Sequence, residues 1–360
     1  MDLLTPILVL SSVSLLLGIL LILADKFLAD YGDCRILING GRELTVRGGV
    51  SVSSALSANR IFIPSACGGK ATCGLCKGRV VAGAGPVLPT EKPFLTRAEL
   101  ADGTRILCQV KIKRDMEIVI PEAYFLVREF RATVEAITPL THDTRLFRFR
   151  LEDPKEIAFK PGQFVQFRIP GAGEERAYSV ASSPNAPNIV ELIVRLVPGG
   201  LCTTYMFNKL KVGSQVTLTG PYGEFFLRDD SDAPIICVAG GSGSAPIRSI
   251  ISYLREKNSQ RKIISFYGGR TPKDIYFTEE YKLLEKDMKD FTHIPGVSEP
   301  AEGDFWIGEK GLITQVMDRH LKDLDGCEAY MCGPPVMIEF ATKLLCERGM
   351  CPERIFYDKF

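Results

Sequence analysis

The sequence predicts a multidomain chain: an N-terminal transmembrane helix, an α+β unit, an antiparallel β-barrel and an α/β unit built on a parallel sheet. Three observations predict it. The first is an uncharged, Leu- and Ile-rich run from Leu3 to Ala24. The second is a long region of short alternating segments split by Gly, Pro and Asn, as in antiparallel strands joined by turns. The third is a switch near Ala233 to continuous apolar runs alternating with helical periodicity, which implies parallel strands covered on both faces. The boundaries expected from these changes are residues 1–26, 33–122, 128–230 and 233–360.

The N-terminal run has 22 residues without a charge. As a helix it would span about 30 Å, the thickness of a bilayer core. Ser11, Ser12 and Ser14 can bond back to the helix backbone, so they do not exclude a span. A secretory signal would start with a basic segment and carry a shorter apolar run; this chain starts Met1-Asp2. Lys26 and Arg35 follow the run and no basic side chain precedes it. That asymmetry favours a single-pass anchor in the inner (cytoplasmic) membrane with a cytoplasmic body.

In the α+β unit, Cys34–Ile38 and Arg42–Val46 read as strands around Asn39-Gly40-Gly41, a hairpin signal. Val52–Asn59 reads as a short helix. Gly78–Ala82 and Val110–Val119 read as further strands, and Pro121–Leu126 as a linker. The barrel candidates are Arg131–Ile137, Thr144–Leu151, Phe164–Ile169, Ala177–Ala181, Val190–Leu196 and Gln215–Thr219, with a short helix at Thr203–Lys209. In the α/β unit, strands are expected at Pro234–Ala239, Lys262–Tyr267 and Ala329–Cys332. Helices are expected at Ala245–Lys257, Phe277–Lys286, Gly311–His320 and Val336–Arg348.

The chain has 360 residues, 44 basic against 43 acidic, for a formal charge of +1. Such a balance gives no electrostatic footprint for nucleic acid. Eleven cysteines are an odd count, which argues against a closed disulfide framework. Seven of them (Cys34, Cys202, Cys237, Cys327, Cys332, Cys346 and Cys351) are scattered, and their plain reading is small buried hydrophobes in a reducing compartment.

The other four are different. Cys67-Gly-Gly-Lys-Ala-Thr-Cys73-Gly-Leu-Cys76 is a C-x5-C-x2-C run, and Cys108 lies further along the chain. A 2Fe–2S cluster needs four thiolates, and its sulfides need backbone N–H donors. Gly68, Gly69 and Gly74 let the backbone wrap closely. Zinc sites use paired C-x2-C units or histidines, and none of the three histidines lies near. The loop resembles that of plant-type ferredoxins with one extra residue between the first two ligands. The x5 spacing also occurs in the adrenodoxin class and in the F subunit of the sodium-pumping NADH:quinone oxidoreductase.

Arg176-Ala-Tyr178-Ser179 resembles the R-x-Y-S motif of the ferredoxin–NADP reductase superfamily. A flavin pyrophosphate calls for a cation such as Arg176, its ring for an aromatic face such as Tyr178, and its N5 for a hydrogen-bond partner such as Ser179. Gly199-Gly200-Leu-Cys-Thr203-Thr204 is similar to the superfamily's pyrophosphate-holding loop. Gly220-Pro221-Tyr222-Gly223 matches its end-of-barrel loop, which implies that Tyr222 or Phe225 flanks the adenine of FAD. Gly240-Gly241-Ser242-Gly243-Ser244-Ala245-Pro246 lies between a buried strand and a helix. There the glycines allow close approach of a phosphate and the helix start favours its charge. Cys332-Gly333-Pro334-Pro335-Val-Met337 resembles the C-G-P-P-x-M motif, which implies that Cys332 lies near the nicotinamide. Arg270, after the second parallel strand, is a cation that could meet a ribose phosphate; the resemblance favours NADH.

The order of anchor, ferredoxin, flavin barrel and nucleotide domain is that of the same family of F subunits. The resemblance implies a β-grasp 2Fe–2S domain, an FAD-binding barrel and an NADH-binding α/β domain. It implies a membrane-bound oxidoreductase passing electrons from NADH to FAD, to the cluster, and on to a membrane acceptor such as ubiquinone. Partner redox subunits and coupling to sodium transport belong to the same expectation. Phe360, with Tyr357 second, is the expected aromatic over the flavin. The turn from Ile169 to Arg176 is shorter than in that family, a departure that bears on docking to the usual subunits. The alternative is a reductase component serving an oxygenase, a corrinoid protein or another redox partner.

Overall fold

The computed structural model describes residues 4–28, 31–171, 174–301 and 303–359. The chain divides into two compact units, Met1–Leu126 and Val127–Phe360.

The first unit opens with helix α1 (Leu4–Leu28, 25 residues). Its side chains are described from residue 7 to residue 20. There Ser12 Oγ donates to Val9 O at 2.9 Å, the back-bonding expected of a serine in an apolar helix. Among the described residues no helix is long and apolar enough to cross a membrane. The expected span therefore rests on the sequence.

The rest of the unit is a five-stranded sheet with helices α2 (Val52–Ala58) and α3 (Arg97–Asp102). Its strands are β1 (Asp33–Ile38), β2 (Arg42–Arg47), β3 (Lys77–Ala82), β4 (Thr104–Ile106) and β5 (Met116–Val119), in the order β2-β1-β5-β3-β4. The β1–β2 hairpin turns at Asn39 and Gly40, both at positive φ. The Asn39 amide also bonds Ile120 N and O, tying the turn to the chain leaving β5. Ile36, Ile38, Leu56, Ile106 and Ile118 are fully buried between sheet and helix.

One expectation fails here, and one segment goes beyond the expected elements. Val110–Val119 is a strand only over Met116–Val119. Val110 and Ile112 are buried as their alternation predicts. Their backbone groups, however, pair with Val52 and Val50 rather than with a strand. The segment 91–106, unassigned from sequence, holds α3 and β4. A capping box, Thr96 with Glu99, starts α3.

The second unit starts with a six-stranded antiparallel sheet. Its strands are β6 (Arg128–Pro139), β7 (Thr144–Asp153), β8 (Phe164–Arg168), β9 (Glu175–Ser179), β10 (Ile189–Arg195) and β11 (Gln215–Tyr222), in the order β10-β7-β6-β11-β8-β9. An antiparallel bridge from Val180 to Leu192 joins the two ends and closes the barrel. Helix α4 (Leu201–Asn208) follows β10, and Phe147, Phe149 and Phe167 fill the interior.

A parallel sheet completes the unit. In chain order its elements are β12 (Ile235–Gly240), α5 (Ser244–Glu256), β13 (Ile263–Gly269), α6 (Thr278–Asp287), β14 (Phe291–Val297), β15 (Glu309–Lys310), α7 (Ile313–His320), β16 (Glu328–Gly333), α8 (Pro335–Glu347) and β17 (Ile355–Lys359). The strand order is β15-β14-β13-β12-β16-β17. Ile235, Cys237 and Ala239 pack under α5 and α6, while Ile236 and Val238 pack under α7 and α8. Burial on both faces is why β12 reads as an unbroken apolar run.

Strands β14, β15 and β17 go beyond the expected elements. β14 carries Thr292, His293 and Pro295 and pairs with β15 only at Gly296 and Val297, so most of it is an edge where such residues are tolerated. All eleven cysteines are free thiols. Five of the seven scattered ones are buried as expected, but Cys346 and Cys351 are exposed. Cys346 lies in the last turn of α8 and Cys351 in the connection that follows it.

Candidate redox site

The cysteine loop lies between α2 and β3. Gly68, Gly69, Ala71 and Gly74 all take positive φ. Gly74 has a second constraint, since a Cβ there would meet the Phe94 ring at 2.7 Å. The loop is pinned by Gly68 N to Ser65 O and Gly69 N to Ser65 Oγ. Cys76 and Cys108 come together because Leu107 N donates to Cys76 O at 2.8 Å. β4 is held in turn by the buried Arg105–Glu91 pair at 2.6 Å, with Ile106 N also donating to Glu91.

The four thiols form two pairs. Cys73 Sγ donates to Cys67 Sγ at 3.4 Å, and Cys76 bonds Cys108. The bond from Cys73, aided by the N–H groups of Thr72 and Cys73, draws Cys67 down to about 4. The bond from Cys76, aided by the N–H of Ala71, draws Cys108 down to about 6. Their partners Cys73 and Cys76 are held up by the same bonds and by burial. Among the described residues no group of three or more His, Cys, Asp or Glu side chains converges as a single metal ion would require. Two dithiol pairs with backbone donors would suit a two-iron cluster, one pair per iron.

The flavin signals converge on the barrel's β9 end. Arg176 is half-buried and pairs with Glu174 at 2.6 Å. Burial, then Cys202, pushes the Tyr178 hydroxyl up. Cys202 sits in the first turn of α4, so its bond to Tyr178 joins the R-x-Y-S strand to that helix. Ser179 ends β9 opposite Phe164. Gly200 caps α4. Thr203 turns inward, its hydroxyl accepting from Val197 N at 3.1 Å, while Thr204 faces solvent. Tyr222 is buried against Phe164, ring centroids 5.4 Å apart, and Phe225 is buried against Tyr330. Neither ring is laid open at the surface.

The nucleotide signals meet at the carboxyl ends of β12 and β16, adjacent parallel strands between which the strand order reverses. Ligands of open α/β sheets bind at such a crevice. Gly240 ends β12, and Gly241–Gly243 form one 3₁₀ turn before α5, where Pro246 is buried. Opposite stand Cys332, Gly333 and Pro334. A Cβ on Gly243 would meet Cys332 O at 2.2 Å, and one on Gly240 would meet Pro334 and Met337. Cys332 is fully buried, and burial with the nearby Asp358 charge raises its thiol well above the ordinary range. It is therefore a neutral thiol. Phe360 lies outside the described residues.

Sequence reading missed several groups here. The Tyr276 hydroxyl bonds Gly241 O at 2.6 Å and Ser244 Oγ at 2.7 Å, holding the glycine turn. Asp358 pairs in register with Cys332. Arg248, Glu191 and Glu280 form a part-buried cluster between barrel and parallel sheet, with Glu191 its most buried member. No motif marks Tyr276, Arg248, Glu191 or Glu280, and Asp358 falls within the C-terminal Tyr357-Asp358-Lys359-Phe360 ending without a role of its own there. Arg270, the cation considered for a ribose phosphate, pairs with Glu299 at 2.8 Å.

Fold and site together define an iron–sulfur flavoprotein of the nicotinamide-dependent reductase class. Three family models match in tandem: a 2Fe-2S iron-sulfur cluster binding domain at 36–113, an oxidoreductase FAD-binding domain at 131–227 and an oxidoreductase NAD-binding domain at 237–343. The F subunit of the Na(+)-translocating NADH-quinone reductase of Neisseria meningitidis is 34% identical over 405 aligned positions, covering 100% of both chains. Its counterpart in Pseudomonas aeruginosa is 35% identical, covering 96% of this chain and 95% of its own. This chain belongs to the family of F subunits of Na(+)-translocating NADH-quinone reductases. Among solved structures it is similar to an Amycolatopsis cytochrome P450 reductase (TM-score 0.75, 28% identity, 91% of this chain and 98% of that one). It is also similar to the ferredoxin reductase in carbazole 1,9a-dioxygenase (TM-score 0.72, 28% identity, the same coverage). The chain is an electron-transfer module running from NADH through FAD to a 2Fe–2S cluster.

Proposed function

We propose that the chain is the NADH-oxidising, membrane-anchored component of a quinone reductase, with Cys67, Cys73, Cys76 and Cys108 as its cluster ligands. The observation that carries the ligand assignment is the division of these thiols into two hydrogen-bonded pairs with backbone donors. Arg176, Tyr178 and Ser179, with Gly200, Thr203 and Thr204 at the start of α4, hold the flavin. Gly240, Gly241, Gly243 and Pro246 face Gly333 and Pro334 across the crevice that takes the dinucleotide pyrophosphate. The neutral Cys332 closes its floor without competing for a proton. The bound groups supply the redox chemistry: a hydride arrives from NADH, and electrons leave one at a time through the cluster. The residues bind, orient and exclude water.

The anchor is α1. In its support, Leu3–Ala24 is uncharged, the helix runs 25 residues, and Leu8, Leu10 and Leu15 lie exposed. At about 1.5 Å per residue the 22 uncharged residues of the sequence would match a bilayer core of about 30 Å. The soluble body then lies on the cytoplasmic side, where NADH is found. A lone helix cannot line an ion path, so sodium movement, named for the relatives, requires further membrane subunits.

Cys76→Ala tests the assignment. It should abolish the EPR signal of the reduced cluster while NADH still bleaches the flavin and reduces ferricyanide. A persisting cluster signal would sink the ligand set. The likeness to oxygenase reductases favours one second reading, delivery of electrons to a separate redox protein. Purification from native membranes separates the two by what accompanies the chain: other quinone reductase components or an oxygenase.

A further inference from the structure

Arg248 lies one turn inside α5, four residues after Ser244, where the glycine turn becomes helix. It is largely buried and every arm is engaged. Nη1 donates to Glu191 Oε2 at 2.6 Å and to Ala181 O at 3.1 Å. Nε and Nη2 grip both oxygens of Glu280 on α6, at 2.8 and 3.3 Å. The guanidinium also lies 4.9 Å from the centroid of the Phe277 ring. Glu191, itself buried, accepts at its other oxygen from Arg148 Nη1 at 2.7 Å. The next residue along α5, the fully buried Ser249, donates to Ser182 O at 2.7 Å.

The barrel residues gripped in this way are Ala181 and Ser182, which continue directly from Ser179. They are fixed to β10 by Ala181 N to Glu191 O and by Glu191 N to Ser182 Oγ. One contiguous chain of bonds therefore runs from the R-x-Y-S strand, through Ala181 and Ser182, to α5 and its leading glycine turn.

A buried ion pair is a poor source of stability, because desolvation offsets its attraction and apolar replacements of similar size often do as well. What a forked guanidinium adds is orientation, since its donors fit acceptors in only one geometry. Orientation matters here because a hydride moves only when donor and acceptor atoms approach to about 3–3.5 Å.

We propose that Arg248, with Glu191 and Ser249, is a positioning device that sets the parallel-sheet domain against the barrel at hydride-transfer distance. It rests on the reading that NADH reduces a flavin held at Ser179. Its effect should fall on the rate of the hydride step and not on nucleotide affinity, because none of the three belongs to the glycine turn or the Cys332 loop.

The test is anaerobic stopped-flow bleaching of the flavin by NADH in the full-length holoprotein. Arg248→Met and Glu191→Gln should slow bleaching at saturating NADH by about 100-fold, the loss expected for a displacement near 1 Å. The apparent dissociation constant for NADH should stay unchanged. Arg248→Lys keeps the charge without the fork and should fall between. Hydrogen exchange of the same proteins should quicken at residues 180–192 and in the first turns of α5 while the rest stays protected. The double variant Arg248→Met/Glu191→Met should unfold at a temperature no lower than the wild type yet remain slow, which a merely stabilising pair would not do. Wild-type bleaching rates in the variants, or weaker NADH binding at an unchanged maximal rate, would overturn the proposal. If Glu191→Gln fails to fold, Arg248→Lys and Ser249→Ala carry the test. A wild-type flavin that NADH does not bleach would defeat the underlying reading instead, so the two failures are distinguishable.

Discussion

The cluster loop and the nucleotide crevice solve the same problem, holding a redox group still, by opposite means. The loop is nearly self-sufficient: three thiols and most of its N–H donors lie within ten consecutive residues, and one long-range contact, Leu107 N to Cys76 O, brings in Cys108. The crevice has almost nothing local beyond its glycines. Its walls come from residues some 90 positions apart, and it closes because β12 and β16 are neighbours in one sheet. A local site is legible and mutationally compact. An assembled site spreads its dependence over side chains that never touch the ligand, of which Tyr276 and Arg248 are examples.

Four outcomes would sharpen or break this contrast, taken from the largest effect to the smallest. Glu91→Ala should cost about 3–5 kcal/mol, because it leaves Arg105 charged and buried without its partner. Thermal unfolding of the first unit should drop, with loss of cluster content and with flavin retained. Equal loss in both units would show that they do not fold separately.

Gly243→Ala should cost about 1–3 kcal/mol, since the new methyl must displace the Cys332 carbonyl. Titration should show weaker NADH binding with a normal cluster spectrum. Unchanged affinity would mean that the contact between the two loops is not part of the site.

The units should also differ in their response to acid. Burial holds His293 in its neutral form, its proton lost down to about 4. An unfolded chain protonates near 6.5, so the unfolded state binds the extra proton between those values. The second unit should therefore be at full strength above pH 6.5 and lose this contribution progressively as pH falls toward 4. His293→Gln should flatten that slope. In the first unit the Arg105 guanidinium beside Glu91, with two N–H donors, holds the carboxyl below its usual range despite burial. That contribution is present above the unfolded value near 4.3 and is lost only as pH falls further. Denaturation monitored separately by cluster and flavin absorbance at stepped pH checks both signs.

Thr96→Ala removes the α3 capping box and should cost about 1 kcal/mol. Denaturant titration of the first unit measures it. A much larger loss would mean that α3 shapes the cluster loop through Glu99, which also binds Lys77 beside Cys76.

Legibility followed how locally each feature is encoded. The Asn39-Gly40 hairpin, the six barrel strands and the apolar run of β12 were readable because turn chemistry and periodicity are short-range. β14 was not, because an edge strand tolerates His293 and Pro295, which disguise it. The strand expected at Val110 was misread because alternation reports which side chains are buried, not what the backbone pairs with. Tyr276 had no motif to betray it, since its task is to bond a carbonyl 35 residues earlier.

The sequence by itself determined the cofactor chemistry: four thiols at cluster spacing, a cation and aromatic on one strand, and two glycine turns after buried strands. These are requirements of the ligands, and they must be met by particular residues at short spacing. Only the tertiary structure decided how Cys67, Cys73, Cys76 and Cys108 divide into pairs. It alone put Gly243 against Cys332 and laid Arg248 across to Ala181, 67 residues away. Contacts of that separation depend on strand order and loop closure, which neither composition nor periodicity records.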